Sequence, residues 1–287
     1  IDCFLGEAKR LGVHVRLRCG LQRWQVADSG WQIKTSTGEE IIADAVIVTT
    51  GSSHEVWGLL EKLGHRIIAP VASLFTFNIK DERIKGLEGL SVPQATVKIR
   101  NSAFRIPHSP LLITHWGMSG PAILKLSAIA ARELAELNYR FEIEVNWVNK
   151  DLNAVKEALK LFKQNNAKKN VAGNPLFNIP KRLWERLTAH CPLPSSINYA
   201  DLANHQIESL AGALTQSCFK VTGKSTYKEE FVTSGGVDLA EVDFRTMMSR
   251  KVPNLYFAGE VLDIDAITGG FNFQAAWTTA YIASQTI

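Results

Sequence analysis

Two groups of residues near the end of the chain have the types and spacing that ligand binding requires. The apolar segment Leu255–Ala258 ends in Gly259 and the carboxylate of Glu260, and Gly269–Gly270 directly precede a helical pattern. In an α/β sheet, ligands bind beyond the carboxyl ends of the strands, so Glu260 is expected to accept hydrogen bonds from sugar hydroxyls. The glycines allow close backbone approach, and the helix start behind them offers free N–H groups that stabilise an anion. The spacing alone also fits an ordinary strand–turn–helix corner.

His115 is the candidate for proton transfer. It precedes Trp116 and Ser119 in a loop that leads to a helix predicted to begin at Pro121, where the missing N–H costs nothing. Because imidazole changes its protonation near neutral pH, a histidine here can serve as a general acid. A histidine that only fixes the loop is the alternative interpretation. Nucleophilic catalysis by Ser119 is disfavoured, since the segment is not G-x-S-x-G and no acidic partner is marked.

The remaining composition excludes several other kinds of site. The four cysteines lie far apart and the seven histidines show no metal-ligand spacing, so neither a metal site nor a disulfide framework is expected. Reduced thiols of this kind are typical of a cytoplasmic protein. No apolar run approaches the ~20 residues that span a bilayer, so no membrane partner is expected.

The charge of the chain is modest, at +4 on 287 residues. Its densest basic stretch runs from Lys156 to Arg186 and could face a polyanion such as a nucleic acid. Acidic and apolar residues interrupt this stretch, which favours a solvated helical surface. A nucleic-acid partner is therefore not the expectation.

Hydrophobic periodicity predicts the elements that must position these residues. Helices are predicted over residues 2–12, 54–63, 121–137 and 271–284, with a helical region over 152–212. Strands are predicted over 13–17, 21–26, 31–35, 40–43, 74–79, 96–100, 139–147, 218–222, 229–233 and 254–259. The segment Asp44–Gly51 is nearly continuously apolar, as in a strand of a sheet that is covered on both faces. This order indicates one α/β sheet domain that is interrupted by an inserted domain.

Four segments, spread over the chain, carry a family resemblance. They are Val48–Gly51 (VTTG), Leu112–Ala122 (LITHWGMSGPA), Ser234–Val237 (SGGV) and Gly259–Trp277 (GEVLDIDAITGGFNFQAAW). Respectively, they resemble the ATG strand end, the FTHxGxSGPA segment, the GGV strand turn and the C-terminal flavin motif of the BaiN/YhiN-like family of bacterial NAD(P)/FAD-dependent oxidoreductases. The resemblance implies an α/β fold, α+β overall, in which a split Rossmann-like domain holds a β-barrel-like insert with a small helical insert. It divides this chain into a partial FAD-binding domain (1–72), the barrel-like domain (73–150 and 213–232), the helical insert (151–212) and the C-terminal part of the FAD-binding domain (233–287).

The resemblance also implies FAD as cofactor, NADH or NADPH as an optional reductant, and a small organic substrate that exchanges a hydride with the flavin. The cofactor-binding residues that it implies are Leu21 at the adenine, Thr50 and Gly51 near the dinucleotide, Gly259 and Glu260 at the ribityl–pyrophosphate part, Asp265, and Gly269, Gly270, Phe271 and Asn272 along the isoalloxazine. His115, Trp116 and Ser119 are the candidates for the substrate side. Ser52–Ser53 follows Gly51 where the family usually has a glycine pair, which is a departure at that loop.

The largest departure from the family is an absence. The family opens with a βαβ unit whose GxGxxG turn holds a pyrophosphate, whereas this sequence starts at Ile1 and contains no GxG. The expectation is a C-terminal part that lacks its βαβ segment as a partner and is inactive alone. Two alternatives stay open: a non-catalytic fragment with little FAD binding of its own, and a nucleic-acid-associated flavoprotein.

Overall fold

The computed structural model describes residues 1–27, 30–194, 196–225 and 232–287. Its helices are α1 (Asp2–Arg10), α2 (His54–Lys62), α3 (Pro121–Ile129), α4 (Ala131–Glu136), α5 (Leu152–Asn165), α6 (Lys181–Ala189), α7 (Asn204–Thr215) and α8 (Phe271–Ser284). Its strands are β1 (Leu21–Ala27), β2 (Gly30–Thr35), β3 (Glu40–Ala43), β4 (Val46–Val48), β5 (Ile67–Ser73), β6 (Thr76–Asn78), β7 (Ser91–Ile99), β8 (Arg105–Thr114), β9 (Gly117–Ser119), β10 (Phe141–Asn146), β11 (Ser217–Val221), β12 (Gly223–Ser225), β13 (Val232–Val237), β14 (Val242–Asp243), β15 (Met248–Ser249) and β16 (Leu255–Phe257). This mixed content confirms the predicted α/β class, α+β overall.

The chain divides into two compact units. Unit 1 is formed by Ile1–Ala69, Gly235–Ile264 and Phe273–Ile287, and unit 2 by Pro70–Ser234 and Asp265–Asn272. The sequence of unit 1 is thus interrupted twice. The finer division of the insert into barrel-like and helical domains stays a prediction.

Unit 1 contains two sheets. In the antiparallel sheet β1–β2–β3, Trp24 pairs with Ile33 and Ile33 with Ile41, so these apolar side chains share one face. The second sheet has the order β14–β15–β16–β4, in which β16 and β4 run parallel. Apolar side chains of this unit form one buried cluster, whose largest fully buried members are Trp31, Leu60 and Phe257.

β4 lies at the edge of its sheet, and this corrects one prediction. The apolar run Asp44–Gly51 was expected to be a strand covered on both faces, but Ile47 is 42% exposed and the ordered strand covers only Val46–Val48. An apolar run indicates that a strand can be packed against other elements, but it does not say whether they are present. In the described residues β4 has one neighbouring strand, β16.

α8 has two different faces. Thr279 and Ala283 are buried against unit 1, whereas Phe273, Trp277 and Tyr281 are each between 66% and 74% exposed. Phe273, Trp277 and Tyr281 are spaced four residues apart, so they form one continuous aromatic stripe along the helix. Single exposed apolar residues are ordinary, but a stripe of three large aromatic rings marks a surface that another segment covers.

Unit 2 is built on a seven-stranded sheet of order β11–β10–β7–β8–β9–β6–β12. α3 packs against β7 and β8, and α7 packs against both α5 and α6. α3 begins with Pro121 as predicted, and Asp151 caps α5 by accepting a hydrogen bond from the N–H of Ala154 at 2.8 Å. In the described residues β11 and β12 are the two ends of the sheet, so closure into a barrel stays a prediction.

Three predicted elements differ from the structure. Residues 13–17 form no strand: Val13, Val15 and Leu17 alternate, but their side chains are exposed and no described strand pairs with them. The helix predicted over 121–137 ends at Ile129 and restarts at Ala131, and the buried Ala130 between the two helices has φ −107° and ψ 15°, outside the helical range. The turn predicted at 28–30 and the strand predicted at 229–233 lie partly outside the described residues.

A buried polar cluster fixes the segment after α2. The ring of His65 is fully buried, and its Nδ1–H donates to Oε2 of Glu241 at 3.0 Å. The hydroxyl of Ser249 donates to Nε2 of His65 at 3.1 Å, because Oγ of Ser249 already accepts two backbone N–H bonds. Burial, together with a smaller effect of the charge of Lys251, lowers the pKa of His65 by more than the hydrogen bond and charge of Glu241 raise it. In the carboxyl of Glu241 the effect of burial, which raises the pKa, is outweighed by hydrogen bonds from Lys251, Arg66 and His65, so its pKa is lowered. The folded protein therefore holds a neutral imidazole beside a carboxylate.

Stability is expected to fall as the medium becomes acidic, because the unfolded chain takes up a proton at His65 more readily than the folded one. The contribution is complete above about pH 6.5, the ordinary histidine value, and is lost as the pH falls through the lower folded pKa, by at most about 1.4 kcal/mol per pH unit. Urea unfolding over this pH range measures it. His65→Gln is expected to be less stable and to show a flatter pH dependence. Equal pH dependence in both proteins would contradict the assignment.

Candidate functional site

The carboxyl ends of β4 and β16 meet at one edge of the unit 1 sheet. The two strands are parallel and in register, with Phe257 opposite Val48, and the N–H of Ala258 donates to the carbonyl of Val48 at 3.0 Å. The residues that follow the strands are therefore neighbours at this edge. They are Thr49, Thr50 and Gly51 after β4, and Gly259 and Glu260 after β16.

Both strands are followed by a glycine in the left-handed region. Gly51 has φ +61° and Gly259 has φ +76°. Other residues adopt such backbone angles at a cost, so glycine is the residue that lets each strand turn away directly at the sheet edge. Thr50 is exposed between β4 and its glycine, and Ser53 caps α2 through a hydrogen bond from the N–H of Val56 to its Oγ at 3.4 Å. The pair Ser52–Ser53, which departs from the family pattern, thus forms an ordinary helix start.

The segment after β16 is fixed by side chains from two helices. Gly259 donates its N–H to Oγ1 of Thr279 at 3.0 Å, and Thr279 donates to the carbonyl of Ala275 at 2.8 Å. Nε1–H of Trp57 donates to the carbonyl of Val261 at 3.0 Å. The backbone on both sides of Glu260 is therefore held by buried groups, which fixes where its side chain starts.

Gly236 lies directly behind this segment, where there is no room for a side chain. Its φ is +135°, and a Cβ at this position would lie 2.5 Å from the carbonyl oxygen of Val261 and 2.8 Å from the carbonyl carbon of Leu262. Real Cβ atoms do not approach backbone this closely. The glycine pair in the Ser234–Val237 motif thus has a packing role: it lets β13 lie directly against the residues that carry Glu260.

The carboxylate of Glu260 at this edge is suited to hold a polar ligand. Its side chain is half-buried, and among the residues that the structure describes it forms no hydrogen bond or ion pair. A half-buried carboxylate without a partner is unfavourable unless a ligand or water supplies donors. Sugar hydroxyls would supply them, so the residues present fit the ribose- or ribityl-bearing part of a dinucleotide cofactor.

The loop Asp265–Asn272 belongs to unit 2, and its two polar side chains hold its shape. Asp265 accepts a hydrogen bond from the buried Ser73 at 2.9 Å. The side chain of Asn272 accepts from the N–H of Ala266 at 2.8 Å and donates to its carbonyl at 3.1 Å. Both polar atoms of the Asn272 side chain are thus engaged within the loop. The side chains of Asp265 and Asn272 shape the loop, whereas its backbone and the exposed ring of Phe271 are what it offers outward.

Gly269 and Gly270 close this loop immediately before α8. Their φ angles are +130° and +83°, both in the region that favours glycine. Both residues are exposed, and no heavy atom lies within 4 Å of a Cβ built on Gly270. The predicted glycine–helix junction is therefore present, with a bare backbone at its outer surface.

Leu21, the residue predicted to offer its backbone to an adenine, begins β1. β1 is an edge strand of the antiparallel sheet of unit 1, and its register with β2 shifts between Leu21 and Arg23. An edge strand leaves backbone groups available on one side, which fits that role.

His115 and Trp116 form the tight connection between β8 and β9 in unit 2. Both are exposed, and Trp116 is 51% exposed. His115 lines a cavity of about 360 Å³ together with residues 79–88. The pKa of Glu88 in this cavity is lowered, first by hydrogen bonds from the backbone N–H groups of Glu88 and Gly86 and then by the charges of His115 and Arg182.

Ser119 is buried, in contrast to its neighbours in the same motif. Its hydroxyl accepts a hydrogen bond from Thr76 at 2.9 Å and joins β9 to β6. Gly117 is packed equally closely, since a Cβ there would lie 2.4 Å from the carbonyl oxygen of Phe77. The motif therefore places His115 and Trp116 at the surface and uses Ser119 and Gly117 to hold the turn.

Two further features of the described residues concern metal ions and membranes. No group of three His, Cys, Asp or Glu side chains that could hold a metal ion occurs in the part of the chain that the structure describes. Nor, within that part, is any helix long and apolar enough to cross a membrane. All four cysteines are free.

Comparison with known proteins places these features in a family. The family model described as "HI0933-like protein Rossmann domain" matches residues 1–286. A ribosomal RNA dihydrouridine synthase of Escherichia coli is 29% identical over 99% of this chain and 70% of its own length, and one of Haemophilus influenzae is 31% identical over 92% and 62%. A 3-dehydro-bile acid delta(4,6)-reductase of Clostridium scindens is 24% identical over 97% of this chain and 70% of its own length. The chain thus spans 62% to 70% of the lengths of these three relatives.

The sequence patterns did not identify Thr279 and Trp57, the residues that hold the backbone on either side of Glu260. Thr279 and Trp57 both lie inside predicted helices, and neither belongs to a motif. Hydrogen bonds from a helix side chain to a strand end depend on tertiary packing, which leaves no periodic signal. Gly236 was marked by its motif, and close approach is a recognised reason for a glycine in a strand.

Removal of the Thr279 hydroxyl tests the positioning of Gly259. Thr279→Val keeps the shape of the side chain but leaves the buried N–H of Gly259 without an acceptor, so the free energy of unfolding is expected to fall by about 1–3 kcal/mol. Denaturant unfolding measures the change. Thr279→Ser, which keeps the hydroxyl, is expected to lose much less. Equal losses in the two variants would assign the effect to the methyl group and not to the hydrogen bond.

Proposed function

The chain belongs to the HI0933-like family of Rossmann-domain proteins, as its sequence motifs predicted, and from that premise we propose that it is the larger part of an FAD-dependent reductase. Its substrates carry a carbon–carbon double bond that is conjugated to a carbonyl group. The observation that carries the proposal is the Glu260 carboxylate, which has no partner among the described residues, at the edge where the two glycine-ended parallel strands β4 and β16 meet.

The names of the relatives share one reaction. Dihydrouridine is uridine whose ring double bond, conjugated to a carbonyl, has been reduced, and a delta(4,6)-reductase of a 3-dehydro steroid acts on double bonds conjugated to the 3-oxo group. In each case a hydride adds to a carbon that the conjugated carbonyl makes electrophilic, β to it or, in an extended diene, δ to it, and a proton adds to the carbon beside it. The substrates of these relatives differ greatly in size. We therefore propose only the shared reaction, and neither substrate, for this chain.

The cofactor proposal rests on residues of both units taken separately. In unit 1, Glu260 binds sugar hydroxyls while Gly51 and Gly259 admit the dinucleotide close to the backbone. In unit 2, the bare backbone of Gly269–Gly270 and the ring of Phe271 contact the isoalloxazine. When bound, FAD supplies the hydride chemistry, and NADH or NADPH is the class of reductant that restores it.

His115 is proposed as the proton donor. Reduction of a conjugated double bond needs a proton on the α carbon, and His115 is an exposed imidazole on the rim of a cavity of about 360 Å³. The turn that presents it is rigid, because Ser119 and Gly117 are locked into the sheet. A proton donor on a fixed turn is positioned without an ordering cost when the substrate binds.

The complete protein is proposed to contain a further βαβ segment that binds a pyrophosphate and covers unit 1. β4 has an open edge with Ile47 exposed, and α8 presents the stripe of Phe273, Trp277 and Tyr281. A parallel strand added at β4 and a helix laid on the stripe would bury both. The greater lengths of the relatives are consistent with such a segment.

The alternative of a non-catalytic fragment applies to these 287 residues alone. We expect them to bind FAD roughly ten-fold or more weakly than the complete protein, because the pyrophosphate contacts of a glycine-rich turn are missing. Titration of both proteins with FAD, followed by flavin fluorescence, measures the difference. Equal affinities would refute the need for the βαβ segment.

The reductase proposal is tested on the complete protein under anaerobic conditions. The flavin is first reduced, and its reoxidation is then followed by visible absorbance after mixing with uridine-containing RNA, with a 3-oxo-Δ4 steroid, or with the saturated counterpart of each. Faster reoxidation by either conjugated compound than by its saturated counterpart is expected. No difference within either pair would overturn the proposal.

Glu260→Gln tests the residue on which the proposal depends. The variant keeps the size of the side chain but removes its charge, and FAD affinity is expected to fall roughly ten-fold or more, the range for hydrogen bonds to a charged group. Glu61→Gln, an exposed carboxylate on α2, is the matched control and is expected to keep its affinity. Unchanged FAD affinity in Glu260→Gln would remove Glu260 from the cofactor site.

A further inference from the structure

Ser73, the last residue of β5, has a buried hydroxyl that is bound to a distant part of the chain. Its side chain is fully buried, and its Oγ–H donates to Oδ2 of Asp265 at 2.9 Å, although the two residues are 192 positions apart. Asp265 is half-buried and begins the loop Asp265–Asn272. Because both residues belong to unit 2, this hydrogen bond joins two segments of one compact unit.

The same hydrogen bond links the loop to the rest of unit 2. Among the residues that the structure describes, no other hydrogen bond connects Asp265–Asn272 with Pro70–Ser234. Within the loop, the side chain of Asn272 binds both the N–H and the carbonyl of Ala266. Asn272 thus closes the loop on itself, and Ser73 fixes the place of the closed loop on unit 2.

The backbone directly after Ser73 has an unfavourable conformation. Leu74 is buried and has φ +55°, a left-handed angle that residues with a Cβ adopt at a cost. The N–H of the next residue, Phe75, donates to Oγ of the buried Ser127 in α3 at 2.9 Å. Such a conformation persists only where surrounding contacts fix it, and here hydrogen bonds lie on both sides of Leu74. The packed core of unit 2 therefore sets the direction in which Ser73 presents its hydroxyl.

The stretch Ser73–Thr76, which we call the brace, also holds the turn of His115. Thr76 donates its hydroxyl to Oγ of Ser119 at 2.9 Å, and both side chains are buried. β6, which begins at Thr76, pairs with β9, and β9 follows the turn directly. One end of the brace is thus bound to the loop and its other end to the turn that carries His115.

We propose that Ser73 is a positioning residue of the reductase: by holding Asp265, it keeps the loop at a fixed place relative to the turn of His115. The inference rests on the proposed function, which assigns the backbone of Gly269–Gly270 to the isoalloxazine and the proton donation to His115. Hydride addition and protonation act on neighbouring carbons of one substrate, so the groups that serve them need a fixed separation. The brace supplies this separation from residues that are consecutive in the sequence.

The hydrogen bond from Ser73 also fixes the direction of a charge. It keeps one carboxylate oxygen of Asp265 turned into unit 2. Reduction adds negative charge to a flavin, which backbone N–H groups and the start of α8 favour and a nearby free carboxylate opposes. Loss of the Ser73 hydroxyl is therefore expected to weaken the binding of reduced FAD more than that of oxidised FAD.

The effect on the cofactor is measured on the complete protein as the reduction potential of its bound FAD, by equilibration with a reference dye. In Ser73→Ala the affinity for reduced FAD relative to oxidised FAD is expected to fall roughly ten-fold, the range for a hydrogen bond to a charged group, which lowers the potential by about 30 mV for a two-electron couple. Ser217→Ala is the matched control, because it removes another buried serine hydroxyl of unit 2, which donates to the carbonyl of Ala213 in α7. The control is expected to keep the potential.

A double variant tests whether Ser73 acts through Asp265. Ser73→Ala/Asp265→Ala is expected to have the same potential as Asp265→Ala alone, because without its acceptor the hydroxyl has nothing to hold. A purely structural effect of Ser73 would instead add its own shift to that of Asp265→Ala. Ser73→Cys keeps the size of the side chain and a weaker donor, so it is expected to give an intermediate shift, and it supplies the measurement if Ser73→Ala does not retain FAD.

The place of the loop is also measured without cofactor, by hydrogen exchange of the backbone amides of residues 266–272 in the FAD-free complete protein. Exchange is expected to be roughly ten-fold faster in Ser73→Ala than in the unmodified protein, because the loop opens more easily, and unchanged in Ser217→Ala. Three outcomes overturn the inference: an unchanged potential in Ser73→Ala, equal shifts in Ser73→Ala and Ser217→Ala, or additive shifts in the double variant.

These outcomes are separable from the fate of the proposed function. A protein that reduces conjugated compounds, but whose potential and loop exchange do not respond to Ser73→Ala, would overturn this inference and leave the reductase intact. A protein whose potential responds to Ser73→Ala, but which reduces no conjugated compound, would overturn the reductase and leave Ser73 as a positioning residue of a flavin site. A complete protein that binds no FAD would overturn both.

Discussion

Backbone hydrogen bonds between β4 and β16 hold together two segments that are about 200 residues apart in the chain. The positions of Gly51, Gly259 and Glu260 all depend on this parallel pairing, because it brings both carboxyl ends to one sheet edge. The contacts behind the edge serve the same geometry: Thr279 and Trp57 fix the backbone after β16, and Gly236 lets β13 lie against it. The carboxylate of Glu260 is thereby held at a defined place while its oxygens stay without a partner among the described residues.

The sequence predicted the parts of this arrangement whose signals are local. Glycines at strand ends, the proline at the start of α3 and the junction of Gly270 with α8 are all at the predicted positions, because turn geometry and helix starts are encoded in neighbouring residues. Apolar runs were less informative. Two apolar patterns indicate surfaces that are suited to packing: the alternation at Val13, Val15 and Leu17, and the continuous run at β4. Neither pattern identifies the element that packs there.

Side-chain roles within a motif could not be read from the motif. The segment Leu112–Ala122 presents His115 and Trp116 outward but buries Ser119, because the two exposed residues form the turn whereas Ser119 belongs to β9, every residue of which is buried in the sheet. Likewise Asp265 and Asn272, which were predicted to contact a cofactor, have hydrogen bonds that shape their own loop. The charge pattern behaved similarly: the basic stretch Lys156–Arg186 is divided by folding between α5, α6 and the segment that connects them.

The long separation between β4 and β16 also has a consequence for how the molecule is made. A ribosome completes β4 early, but its partner strand emerges only after nearly all of unit 2 has been synthesised. Non-local pairings of this kind raise the contact order and slow folding, because a long loop must close before the contact stabilises the chain. The edge of β4 that pairs with β16 therefore stays without its partner throughout synthesis of the insert, and the pairing forms only after the C-terminal segment has been made.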